Sequence, residues 1–251
     1  MTLAGLEWGE IALVVVAVVL GFSVKGVTGI GGPMLAIPVL AAFRGVEYAV
    51  AVITIPAFLA NCWLLWKNRN ARSEADDVAL PLLVAGIVGA AVGSWVLVVA
   101  DNSVLLLLLA GLVLAYVVLS LVNPSFRLSV TTGRRLGVPV GLVGGWFQGA
   151  TGISAPVFAT YLHALGLARQ AFVYAVSLLF AVNGAVQLIS LTALGGYAGG
   201  RVVAGLVASV PALVVLPWTN RLGDRLNVQV FRRVVLAMLA ASAIALIVGA
   251  L

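Results

Sequence analysis

Two short stretches hold the residues that could do chemistry. Residues 25–34 read KGVTGIGGPM, and residues 145–158 read GWFQGATGISAPVF. The first places the ammonium of Lys25 beside the hydroxyl of Thr28 and the glycines Gly29, Gly31 and Gly32. The second places the amide of Gln148 beside Thr151, Gly152 and Ser154. A cation, hydroxyl donors and glycines that let backbone N–H groups approach a ligand are the parts of an anion site. Each stretch also carries a proline, Pro33 or Pro156, ahead of an apolar run. Proline suits the first helical turn, where its missing N–H costs nothing. Helices starting there would aim free N–H groups and positive dipole ends back at the glycines.

Nucleophilic catalysis is the rival chemistry. A serine nucleophile needs a base within hydrogen-bond reach and a third group that orients the base. Ser154 and His163 offer a start for an intramembrane hydrolase, but Ser154 lacks the G-x-S-x-G context of a nucleophile elbow. The equivalent position in the first stretch is Gly31, so the loop does not depend on the hydroxyl. No His, Cys, Asp and Glu cluster has metal-ligand spacing, and nothing in the sequence asks for a cofactor. The single cysteine, Cys62, excludes an intramolecular disulfide.

The elements that must position these groups are membrane helices. Of 251 residues, 63% are hydrophobic and only 9% charged, against about 25% charged in a soluble domain. Apolar runs near 48–66, 80–100, 104–122, 170–193, 202–217 and 234–251 approach the ~20 residues that cross a bilayer as a helix. The net charge of +6 sits mainly in short loops between them, where it orients a membrane protein and does not mark a nucleic-acid surface. Within the spans, Thr54, Asn61, Ser177, Asn183 and Gln187 are the candidate pathway residues.

The two chemical stretches interrupt the remaining apolar regions, 11–42 and 137–165. The spacing predicts arms at 11–24 and 34–42, and at 137–147 and 157–165, each too short for ~30 Å of hydrocarbon. Each region therefore reads as a re-entrant hairpin. A shift of 123 residues pairs Gly26 with Gly149, Thr28 with Thr151, Gly29 with Gly152, Ile30 with Ile153 and Pro33 with Pro156. Lys25 then falls opposite Gln148, and Thr54 opposite Ser177. The chain reads as one integral-membrane domain made of two repeats, 1–125 and 135–251, joined by the polar loop 123–135.

Basic residues distinguish the topologies. With hairpins, six spans and both termini outside, eleven basic residues lie in inner loops and only Arg44 and Arg201 outside. Counting each broken region as one crossing gives eight spans and leaves seven inside against six outside. A hairpin plus three spans is an odd number of crossings, so the second repeat is expected to be inverted. Inverted repeats with broken helices recur in secondary transporters.

The stretch GFSVKGVTGIGGPMLAIPVL, residues 21–40, resembles the first glycine-rich segment of the sulfite exporter TauE/SafE family, and GWFQGATGISAPVF looks like its second-half counterpart. The chain departs from the pattern in three places. Pro33 stands where a third glycine is common, Ser154 and Ala155 replace the paired glycines, and Tyr161 replaces the later proline matched by Pro38. The resemblance implies a multi-pass inner-membrane protein that moves anions, often sulfite or organosulfonates. The expected partners are thus a small anionic substrate and the lipid bilayer, with protons a candidate coupling ion. A gated anion channel is the alternative that sequence leaves open.

Overall fold

The computed structural model is helical throughout its described residues, which are 8–122, 128, 130–222 and scattered positions between 236 and 248. Its elements are α1 (Trp8–Thr28), α2 (Gly32–Arg44), α3 (Val46–Lys67), α4 (Arg72–Val99), α5 (Asn102–Val122), α6 (Val130–Thr151), α7 (Ala155–Ala164), α8 (Arg169–Ala193) and α9 (Arg201–Leu222), with a 3-10 turn at Arg69–Ala71. Among the described residues, four segments are long and apolar enough to cross a membrane: Val46–Lys67, Leu80–Val99, Arg169–Ala193 and Arg201–Arg221. Asn102–Val118 is a shorter apolar helix. Both termini, residues 123–127 and 129 of the expected loop and half of the expected 234–251 span lie outside the described residues, although Leu236, Leu239, Ala243 and Leu246 are buried; the rest of the loop, from Val130, is helical as the start of α6.

The interruptions are shorter than expected. Lys25 to Thr28 continue α1, and Gln148 to Thr151 continue α6, leaving only residues 29–31 and 152–154 outside helices. With 21 and 22 residues, α1 and α6 reach about 31 and 33 Å, so the first arm of each hairpin is not the short one. The second arms, α2 and α7, have 13 and 10 residues. Glycine ends the first arms because the chain must turn through positive φ, 81° at Gly29 and 70° at Gly152. The N–H groups of these two glycines return to the carbonyls of Lys25 and Gln148, both at 2.8 Å. Thr28 and Thr151 bond back to Val24 and Phe147 at 2.9 and 2.7 Å. Both helix ends are built the same way, 123 residues apart.

Packing is reciprocal at that spacing. Gly29 abuts Val173 on α8, while Gly152 abuts Val50 on α3. Helix α9 packs along α1, with Gly26 against Leu216 and Thr219; helix α4 packs along α6, with Gly149 against Ala90, Gly93 and Ser94. In the second of these pairs the numbers rise together, Gly137 facing Pro81, Gly141 facing Leu82 and Gly145 facing Gly86, so α4 and α6 are parallel. Helices α3 and α9 are also parallel: Arg201 bonds Glu47 at 2.5 Å near their starts, and Lys67 bonds Asn220 near their ends.

Glycines four apart (Gly137, Gly141, Gly145 and Gly149) line the α6 face that meets α4. Small residues let helix backbones approach where lipid removes the hydrophobic drive for association. A Cβ on Gly145 would stand 2.1 Å from the Gly86 carbonyl oxygen, whereas one on Gly111 would meet nothing within 4 Å. Gly145→Val should abolish the monodisperse detergent-extracted peak, and Gly111→Ala should keep it. Size-exclusion chromatography of the two variants checks the close contact.

Candidate functional site

The two breaks meet at a cavity midway along α3 and α8. It is lined by Lys25, Gly31, Pro33 and Met34 from the first hairpin, and by Gln148, Gly152, Ile153, Ser154 and Ala155 from the second. Thr54, Ala57, Phe58 and Asn61 of α3 and Phe180 and Gly184 of α8 complete it. The free space is about 20 Å³, room for a water molecule or two. The cavity is therefore narrow around its polar groups.

Lys25 is fully buried. Its ammonium reaches the Gly29 carbonyl at 3.4 Å and lies 5.2 Å from the centroid of the Phe180 ring. Among the described residues no carboxylate pairs with it. An ion taken out of water costs on the order of several kcal/mol, and neither a carbonyl dipole nor a ring face supplies a compensating charge. Close to it, α2 starts at Gly31 and α7 at Ser154, neither with a side-chain cap. Proline stands in the first turn of both; at α7 the Val157 and Phe158 N–H groups bond the Ser154 carbonyl at 3.0 Å, which leaves that of Ala155 for the break.

The second-hairpin side of the cavity is bonded up. Gln148 Nε2 donates to Gln187 Oε1 at 3.2 Å and to the Gly152 carbonyl at 3.4 Å, and its Oε1 accepts from Ser154 Oγ at 2.7 Å. Thr54 Oγ1 reaches Gln187 Oε1 at 3.0 Å. Gln187 Nε2 donates to the Gln148 and Gly149 carbonyls at 2.7 and 3.0 Å. The Gln148 carbonyl also accepts from the Gly152 N–H, and both carbonyls lie in the last turn of α6, so Gln187 holds the end of α6 from α8. At the end of α1 the same need is met differently: Asn220 donates to the Gly26 carbonyl at 2.9 Å and Arg169 to that of Val27 at 3.3 Å.

A family model described as sulfite exporter TauE/SafE matches residues 13–246. The chain belongs to that family. TauE/SafE proteins are membrane transporters of sulfur-containing anions, and membership places this chain among them. No curated protein and no solved structure matches it. The hydrolase alternative loses its base in this TauE/SafE chain, because the Ser154 hydroxyl donates to an amide oxygen. His163 stands nine residues further on, about 13 Å along the helix axis, exposed and edge-on to Phe172.

Seven of the expected residues line the cavity: Lys25, Gly31, Thr54, Asn61, Gln148, Gly152 and Ser154. Thr28, Thr151 and Gly29 instead form the helix ends, the two hydroxyls being engaged by carbonyls of their own turn. Gly32 packs on Lys25 and Phe22 as the first residue of α2. Gln187 stands behind Gln148, and Asn183 lies against Gly86 on α4 with its Oδ1 unpartnered. Ser177 is buried with an unpartnered hydroxyl. Phe58 and Phe180 were not anticipated as lining residues. Phe180 was legible in the repeat spacing, since it falls opposite Ala57, and both line the cavity.

Gln187→Met keeps the volume of the side chain but strips four bonds from buried groups. Each buried polar group left without a partner costs about 1–3 kcal/mol. The variant should melt well below the parent in detergent, measured by intrinsic fluorescence.

Proposed function

We propose that this TauE/SafE protein is a secondary transporter that carries a small sulfur-containing anion, sulfite or organosulfonate-like, through the cavity between the two hairpins. The observation that carries this reading is Lys25, a fully buried side chain at the cavity with no carboxylate partner among the described residues. A bound anion would supply the missing charge. The uncapped starts of α2 and α7 add N–H donors and the positive ends of two helix dipoles.

The two halves are read as inverted repeats in the cell membrane, with both termini outside. In support, α1 and α6 end 123 residues apart, as do α4 and α9, and their glycine contacts are reciprocal. Bonds gather Lys67, Arg169, Asn220 and the end of α1 at one end of the bundle. They gather Val46, Asn102, Glu47 and Arg201 at the other. That sorting agrees with hairpins that return to their starting side, and with the excess of inner basic residues. The narrowness of the cavity favours alternating access over a standing pore, since a substrate ion needs more room than about 20 Å³.

The test is thermal stability of detergent-purified protein against sulfite, sulfate, thiosulfate, small organosulfonates, carboxylates and phosphate at matched sodium and ionic strength. A ligand at ~100 times its dissociation constant adds about 2.7 kcal/mol. One anion class should stabilise the parent and leave Lys25→Ala unmoved. Gly184→Val should fold like the parent, because a Cβ there meets nothing within 4 Å, yet lose the response by filling the cavity. No stabilisation by any anion would contradict the reading.

A further inference from the structure

Among the described residues that line the cavity Lys25 is the sole ionisable group, and the rest of the lining divides sharply. Gln148, Thr54 and Ser154 are engaged with Gln187, with one another and with backbone carbonyls. Asn61 is different. It lines the same cavity, is only 3% exposed, and its Oδ1 has no hydrogen-bond partner. Amide oxygen and nitrogen interchange by a half-turn of the side chain, so Asn61 can present N–H donors to whatever occupies the space. The apolar lining includes Met34, Ala57, Phe58 and Phe180, the last with its ring 5.2 Å from the Lys25 ammonium.

Resting on the anion site proposed above, we infer that the site selects monoanions carrying a compact apolar group, and that Asn61 is the residue that reads the headgroup beside Lys25. A dianion would enter with one charge matched and one left in a narrow, mostly apolar cavity, the arrangement that burial penalises most. A monoanion leaves no residual charge. Its oxygens take the Lys25 ammonium, the Asn61 amide, the N–H groups at the start of α2 and the Ala155 N–H of α7. Its apolar part takes the place of water against Phe58, Met34 and Phe180.

Methanesulfonate and sulfate isolate the question, since they differ by a methyl group in place of a charged oxygen on the same tetrahedral sulfur. Isothermal titration of the detergent-purified full chain should give binding of methanesulfonate about tenfold or more tighter than sulfate. Asn61→Ala should weaken methanesulfonate about tenfold and reduce that ratio, while the unliganded melting temperature stays near the parent value. Should Asn61→Ala fail to fold, Asn61→Ser answers in its place. Sulfate binding as tightly as methanesulfonate, with loss of both in Lys25→Ala, would overturn the charge selection and leave the anion site standing. An unchanged ratio in the folded Asn61 variant would overturn the role of the amide. Absence of binding by any anion in the parent would remove the anion site and this inference together.

Discussion

A lysine side chain buried with no carboxylate beside it among the described residues needs a counter-charge whenever it is protonated, and the arrangement around Lys25 turns on that requirement. Lys25 is fully buried near the end of α1, and its nearest contacts are a carbonyl at 3.4 Å and the face of Phe180. Neither neutralises it. The chain surrounds it with further positive potential, the uncapped starts of α2 and α7. Stability alone would not favour such an arrangement. In the transporter proposed above such an arrangement has a use, because a bound anion would relieve the deficit and its release would restore it.

Breaking two helices inside a membrane creates a second obligation, since backbone groups there must be satisfied by protein. The two breaks meet it by different means. Gln187 reaches from α8 to hold two carbonyls of α6, whereas Asn220 and Arg169 hold those of α1. Differences at positions 123 apart recur around the cavity: Lys25 opposite Gln148, Gly31 opposite Ser154, Asn61 opposite Gly184, Ala57 opposite Phe180. In each of the last two pairs a small residue faces a larger one. A similar backbone on both sides thus carries an unlike set of side chains, charged on one side and closed by amides on the other.

Much of this was legible in the sequence, and particular residues show why. The pairing of T-G-I-x-x-P at 28–33 and 151–156 located both breaks, because glycine and proline constrain the backbone wherever they fall. Apolar length marked the four membrane-length segments Val46–Lys67, Leu80–Val99, Arg169–Ala193 and Arg201–Arg221, whereas the polar first turns of α4, from Arg72, gave no such signal. The extent of the breaks was not legible. Gly26 and Gly149 resemble helix breakers in sequence, yet they are helical and serve as points of close approach to α9 and α4. Only the neighbouring helix reveals that use. The roles of Thr28 and Thr151 were hidden for a related reason, since a hydroxyl near a glycine loop serves a ligand or its own helix end equally well. Spacing placed Gln187 on a span but could not show that it caps another helix.

The most direct test is the position of a bound anion. Anomalous diffraction from crystals grown with bromomethanesulfonate would place its bromine. The account predicts a single strong peak in the cavity between the start of α2 and the start of α7, next to Phe58 and Phe180, with the sulfonate on Lys25. A peak confined to the loops, or one that persists in the cavity of crystals of Lys25→Ala at equal occupancy, would contradict it.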